Sequence, residues 1–454
     1  MTITYRSTNG RVADVDLATA LLQGQAGDKG LYMPDEVPRL PAELLARASR
    51  MSYPELAAAV LEPYAAGSFD RDDLREICED AYDFPVPLER VEGPRHVLRL
   101  DQGPTASFKD FAARFMGRAL GRLVGERGGE LMILAATSGD TGSAVAHAFL
   151  GVPGIRVLVL FPRLEISDRQ RRQMTTLGDN VQTVAVEGKF DDCQALVKRA
   201  FADPELTSLH LSSANSINIG RLLPQSVYYI YAAARLADVA GGERVVFSVP
   251  SGNFGDLMGG LLASHGGLPV ERFVVATNAN DEVPRFLATG SYEKIVPSRV
   301  CLSNAMNVGH PSNLARLVSL YGGMLDERGE LSERPDMEAL RRDLYATSVD
   351  DDATRSAIRE AYNRHGMVLE PHGAVGWAGL LRYLDEHPAV ARTTAISLET
   401  AHPAKFPDEV RAQTGAEPEL PPSLEGLDEK PEHYREMGLD YGELKSFLLR
   451  EHGA

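Results

Sequence analysis

Cysteine is scarce: three residues in 454, Cys78, Cys193 and Cys301, far apart and odd in number. They make no disulfide framework and match no zinc-ligand spacing, so no structural metal is expected, and a reducing cytoplasm is. Long apolar runs are missing too. No stretch approaches the roughly 18 residues of a transmembrane helix. The opening Met1-Thr2-Ile3-Thr4-Tyr5-Arg6 lacks the basic-then-apolar pattern of a secretory signal. Positive charge is in deficit, with 47 Lys and Arg against 64 Asp and Glu for a net −17. That balance disfavours nucleic acid and anionic membranes as partners. An anionic substrate would need a site that is locally positive. Internal repeats and low-complexity tracts are absent as well.

The length exceeds what one core normally supports, so the chain is expected to divide. Residues 1–95 read as a mostly helical domain, with helical spacing at 16–22 and 54–62 and an acidic helix at 70–81. From 96 onward strands alternate with helices. Strands are expected at 131–136, 156–161, 181–186, 245–249, 273–277 and 393–398. We assign a first α/β domain to 96–240, a second to 241–420, and a linker with a short helical tail to 421–454. Strand and helix repeated this way predict an α/β fold, parallel sheets covered by helices on both faces. Ligands then sit at the carboxyl ends of the strands.

Three segments carry chemistry. Lys109 lies in Gly103-Pro104-Thr105-Ala106-Ser107-Phe108-Lys109-Asp110, and Phe108, Phe111, Ala112, Phe115, Met116, Ala119, Leu120 and Leu123 follow a helical stripe. A lysine opening such a helix is desolvated, which lowers its pKa and frees the amine for a Schiff base. In Ser251-Gly252-Asn253-Phe254-Gly255-Asp256 a glycine-rich turn joins a strand to a helix, and its unpaired N–H groups form an anion site. Asp256 can offer only its N–H, because its carboxylate repels phosphate. The turn fits neither the dinucleotide fingerprint nor the P-loop. In Thr137-Ser138-Gly139-Asp140-Thr141-Gly142 the hydroxyls suit a carboxylate, unless Asp140 or Thr141 simply caps the next helix. An amine, a hydroxyl-rich turn and a glycine-rich turn together are what a protein needs to hold pyridoxal phosphate.

Other positions read two ways. Thr400 faces a ring nitrogen or makes a local hydroxyl turn. Arg169, Arg171 and Arg172 form a solvated helix face or meet an anion. Asn215-Ser216-Ile217-Asn218, with Arg221 one turn on, is a helix cap or a polar cluster near a phosphate. His372 reads as a structural turn histidine.

In their order these segments resemble the threonine synthases, pyridoxal-phosphate enzymes of fold type II in the tryptophan-synthase-β fold family. The resemblance spans nearly the whole chain. It begins with Tyr5-Arg6-Ser7-Thr8 and Asp28-Lys29-Gly30-Leu31-Tyr32-Met33-Pro34. It runs through the three segments above, Arg172-Gln173-Met174-Thr175-Thr176-Leu177-Gly178, Thr277-Asn278-Ala279-Asn280-Asp281 and Ser303-Asn304-Ala305-Met306. It ends with Glu399-Thr400-Ala401-His402-Pro403-Ala404-Lys405-Phe406. It implies that Lys109 binds pyridoxal 5'-phosphate as an imine and that Gly252, Asn253, Phe254, Gly255 and Asp256 cradle its phosphate. It sets Thr400 at the pyridine nitrogen and Asp140 at the ring hydroxyl.

The implied substrate is O-phospho-L-homoserine, converted with water to L-threonine by γ-elimination and β-addition. Thr137, Ser138 and Thr141 would hold its carboxylate. Ser167, Arg171 or Arg172, Asn215 and Asn218 would hold its phosphate. Two positions depart from the family pattern: Gln102 replaces a histidine and Asn9 an arginine. A phospholyase or dehydratase of the same fold and an inactive binding relative are the competing readings. The chain is compatible with a monomer or a homodimer.

Overall fold

Strand Leu131–Ala136 is buried along its whole length, and so is Val245–Pro250. Such runs need cover on both faces, and a parallel sheet between helical layers supplies it. In the computed structural model, which describes residues 2–137 and 139–452, the first of these strands lies inside a five-stranded sheet and the second inside a six-stranded one.

The five-stranded sheet is parallel throughout, in the order Arg435–Met437, Val181–Val186, Ile155–Pro162, Leu131–Ala136, Leu211–Ser212. The six-stranded sheet runs Leu344–Ser348, Val270–Thr277, Val245–Pro250, Ala395–Glu399, Arg95–Arg99, Leu88–Glu92. Its outer strand Leu88–Glu92 is antiparallel to Arg95–Arg99, and the other neighbours are parallel.

Sheet membership crosses the domain boundaries expected from sequence. Arg95–Arg99 pairs on one edge with its chain neighbour Leu88–Glu92 and on the other with the distant strand Ala395–Glu399. The tail is not a linker. Its strand Arg435–Met437 extends the five-stranded sheet, and Leu444, Phe447 and Leu448 of helix Tyr441–His452 pack with Cys193, Leu196 and Val197. Local pattern reports a strand but not its partner, which is why both long-range pairings were hidden. Helix Pro371–Glu386 and strand Leu344–Ser348 were likewise not anticipated.

The N-terminal region carries helices Leu17–Gln23, Tyr53–Ala65 and Arg71–Ala81, as expected, plus a small sheet of Tyr5–Ser7 with Tyr32–Pro34. Ser52 and Glu55 close a reciprocal cap on the second helix. Arg114, from helix Lys109–Arg127, donates to the carbonyls of Ala81 at 2.8 Å and Asp80 at 2.7 Å. It thereby satisfies the end of the third helix and ties this region to the lysine helix.

Helix Lys109–Arg127 lies against Asp140–Phe149 at unusually close range. A Cβ on Gly117 would stand 2.5 Å from the Ala148 carbonyl oxygen, so only glycine permits the approach. Among the described residues no helix is long and apolar enough to cross a membrane.

Candidate active site

Lys109 is the first residue of its helix, and the loop before it is held from two sides. The buried carboxylate of Asp110 accepts Thr105 N–H at 2.9 Å and the Thr105 hydroxyl at 2.7 Å. Phe108 N–H donates to the Thr400 carbonyl at 2.9 Å, and His402 N–H to that of Ala106 at 3.0 Å. These bonds strap the lysine loop to the turn after strand Ala395–Glu399. The Lys109 side chain is 13% exposed, and its Nζ lies 3.8 Å from Asp140 Oδ2. Burial lowers its pKa below the ordinary lysine value; the charge of Asp140 opposes this, while Lys405 and Arg221 add to it.

Asp140 opens its helix directly after Gly139, whose φ of 128° lies in the region glycine tolerates. Its Oδ1 accepts Lys405 Nζ at 2.7 Å and Gln170 Nε2 at 2.9 Å. Although Asp140 is buried, the charges of Lys405 and Lys109 hold its carboxyl well below the usual range. Lys405 is itself fully buried and also donates to the Thr105 carbonyl at 2.9 Å. Sequence reading passed over Lys405; its signal was a lysine in the short turn Pro403–Lys405 just past a sheet's carboxyl end.

The turn after strand Val245–Pro250 is built for close approach. A Cβ on Gly252 would stand 2.7 Å from Met306 Cα and 3.1 Å from the Ala305 carbonyl oxygen. Phe254 is left-handed, with φ 62°, and leads into helix Gly255–His265. Asn253 donates to Ser216 Oγ at 2.8 Å and accepts Ser312 N–H at 2.8 Å. The Asp256 carboxylate points back under the turn, where Tyr228 and Tyr229 donate to it. Burial pushes its pKa up to about 6, and Lys109 is near enough to pull the other way. Beneath these loops lies Arg316, fully buried and unforeseen from sequence. Asn304 links the two halves, donating to Gln170 Oε1 at 3.3 Å while Gln170 donates to Asp140.

Other expected residues turn elsewhere. Thr137 Oγ1 accepts the N–H groups of Gly139 at 2.9 Å and Gly142 at 2.7 Å, bracing its own loop. Thr141 is half-buried beside it, and Ser138 lies outside the described residues. Ser167 caps helix Asp168–Thr175, accepting Gln170 N–H at 3.2 Å. Arg171 forks onto Glu432 at 2.8 and 3.1 Å, and Arg172 faces Asp428 and Glu432. Both guanidinium groups therefore fasten the C-terminal segment, whose acidic residues outcompete any role read from local charge density. Asn218 donates to the carbonyls of Leu21 and Ser213 and accepts Gly220 N–H, leaving its amide fully used. Asn215 donates to the Ala136 carbonyl at 3.1 Å, and its Oδ1 is buried without a partner among the described residues. Arg221 is buried, donates to the Ala214 carbonyl at 2.6 Å, and keeps an unpartnered Nε. Gln102 bonds Asp101 at 2.9 Å, and Asn9 the Asp28 carbonyl at 3.0 Å. Among the described residues no group of three or more His, Cys, Asp or Glu is placed to hold a metal.

A desolvated amine beside a buried carboxylate, and a glycine turn at a helix start that no side chain could occupy, together fit pyridoxal phosphate.

Comparison with known proteins agrees. Residues 85–397 match the pyridoxal-phosphate dependent enzyme family, 4–82 the threonine synthase N terminus and 373–448 the threonine synthase C-terminal family. The threonine synthase of Serratia marcescens is 40% identical over 436 residues, 96% of each chain. The crystal structure of threonine synthase from Escherichia coli superposes with a TM-score of 0.88 at 38% identity, covering 98% of this chain and 99% of that one. PLP-bound threonine synthase from Brucella melitensis superposes with a TM-score of 0.90 at 35% identity, covering all of both. The chain belongs to the threonine synthases, a family of pyridoxal-phosphate-dependent enzymes.

Proposed function

We propose that the chain converts O-phospho-L-homoserine and water to L-threonine and phosphate, with pyridoxal phosphate as cofactor and in the cytoplasm. The observation that carries the reading is the largely buried Lys109 amine, 3.8 Å from Asp140, connected through Gln170 and Asn304 to the turn over Gly252. When bound, the cofactor supplies an electron sink for carbanions at the substrate. The residues do the rest. Lys109 is the residue that would hold the cofactor aldehyde, and its free amine would move protons at the substrate Cα and then Cβ. The N–H groups from Gly252 to Asp256 would hold the cofactor phosphate, Thr400 would serve its ring nitrogen, and Asp140 its ring hydroxyl. Backbone and hydroxyl donors of the Thr137, Ser138 and Thr141 turn hold the substrate carboxylate. For the substrate phosphate we favour Arg221 with Asn215 and Ser167, because Arg171, Arg172 and Asn218 are already engaged. Arg221 is a buried cation with an unpartnered Nε, which supports this choice.

The test is product identity. Incubation with O-phospho-L-homoserine in ¹⁸O-labelled water should give threonine carrying the label in its hydroxyl group, read by mass spectrometry. Release of 2-oxobutyrate as the main product would instead mark a phospholyase.

A further inference from the structure

Two lysines, Lys405 fully buried and Lys109 largely so, converge on one carboxylate, and they do so unequally. Lys405 Nζ lies 2.7 Å from Asp140 Oδ1 and 2.9 Å from the Thr105 carbonyl oxygen, so two of its donors are satisfied. Lys109 Nζ lies 3.8 Å from Asp140 Oδ2, beyond hydrogen-bonding range. Lys405 has no exposure at all, and an ammonium so placed is retained only if paired.

The surrounding charges do not change this division. Asp110, on the Lys109 helix, is taken by Thr105. Asp256, from the helix after the glycine turn, is taken by Tyr228 and Tyr229. Glu370 and His372, at the start of helix Pro371–Glu386, bind each other. Arg221 brings a further positive charge. A single carboxylate thus serves two amines, and the shorter contact belongs to Lys405.

We propose that Lys405 is a positioning residue that holds the negative charge of Asp140 and so leaves Lys109 as the neutral amine, the form able to react with an aldehyde. This deepens the proposed function, since it concerns how the same site is readied. Lys405 need not touch substrate or cofactor to act in this way.

The experiment reads Lys109 directly. Full-length protein stripped of pyridoxal phosphate is acetylated with acetic anhydride across a pH series, and modification at Lys109 is followed by peptide mass spectrometry. Lys405→Met should raise the pH midpoint for Lys109 by about one unit or more, a tenfold loss of neutral amine at a given pH. Asp140, left to Lys109 alone, would then stabilise its charged form. Adding Asp140→Asn to Lys405→Met should bring the midpoint back to the starting value or below, a reversal that a purely structural role does not produce. Lys405→Gln keeps donors for Asp140 and Thr105 without the charge, and guards against loss of folding, checked by circular dichroism. It should shift the midpoint upward like Lys405→Met. An unchanged midpoint in either folded variant overturns the proposal. Threonine formation by the unaltered enzyme is assayed separately, so a failure of the functional reading and a failure of this one are distinguishable.

Discussion

Nε2 of His372 accepts the backbone N–H of Ala305 at 3.1 Å, tying the first turn of helix Pro371–Glu386 to the turn that closes over Gly252. The ring is held in one tautomer, because Nδ1 meets the Glu370 carboxylate and therefore carries the proton. Glu370 in turn caps the helix through the N–H groups of His372 and Gly373. His372 thus lies in a helix rather than a loop, and what it braces is the wall of the proposed phosphate cradle.

His372→Leu should leave Ala305 N–H and Glu370 without their partner and loosen the wall. Cofactor affinity is expected to fall about tenfold, roughly 1.4 kcal/mol. Spectrophotometric titration of the stripped protein with pyridoxal phosphate measures it. Activity should return at excess cofactor; an unchanged affinity would dissociate this histidine from the cradle.

Lys109→Ala should bind pyridoxal phosphate without a covalent bond and lose turnover by a factor on the order of 10² to 10⁴ or more. The visible absorption of the lysine-bound cofactor should vanish, and borohydride should leave no pyridoxyl group on the protein. A variant that keeps near-normal rates in a purified assay would remove Lys109 from the chemistry.

What sequence revealed and what it hid divide along a physical line. The strand-to-helix placement of Lys109, the glycine turn and the Thr137 to Gly142 turn was legible because each lies within one short segment. The alternation that placed them is a property of neighbouring residues. Lys405 was not legible, because its importance comes from Asp140, far away in sequence. Arg316 was hidden for the same reason, since it reaches back to Tyr32 and to Ser216. The arginine cluster failed in the opposite sense. Its density suggested an anion site, but the partners of Arg171 and Arg172 lie in the C-terminal segment.

Asp256→Asn should show a stability difference that depends on pH. Burial raises the folded carboxyl to about 6, so the folded state binds this proton more tightly than the unfolded chain does. The contribution favours the fold at low pH and is lost as pH rises from the ordinary carboxylate value, about 3.9, toward that raised one. Asparagine can still accept from Tyr228 and Tyr229 without carrying the charge. Relative to the parent, the variant should therefore gain stability as pH rises, by about 1 kcal/mol or more between about pH 4 and about pH 8. Thermal melts at the two pH values decide; the opposite sign would mean that the buried group is ionised and favourably solvated.

Arg316 ties a strand, a loop and the start of its own helix together. Its Nε donates to the Tyr32 carbonyl at 3.1 Å, and its two terminal nitrogens to those of Ser216 and Ile217, each at 2.7 Å, and to Asn313 Oδ1 at 2.6 Å. Among the described residues no carboxylate shares in this, and burial pushes the guanidinium pKa down to about 9. Carbonyl dipoles alone therefore hold the charge. Asn313, so oriented, donates to the Asn253 carbonyl at 2.9 Å, which carries the clamp into the glycine turn. Arg316→Met removes the donors but leaves the carbonyls buried, at a cost of about 1–3 kcal/mol for each one left unpaired. Urea unfolding should show a midpoint loss equivalent to at least about 3 kcal/mol with an unchanged slope. Arg316→Lys, able to reach only some of the acceptors, should fall between. Because the turn depends on Asn313, cofactor affinity should decline in the same order as stability. If stability fell while affinity stayed constant, the clamp would end at the loop boundary and the glycine turn would hold its shape alone.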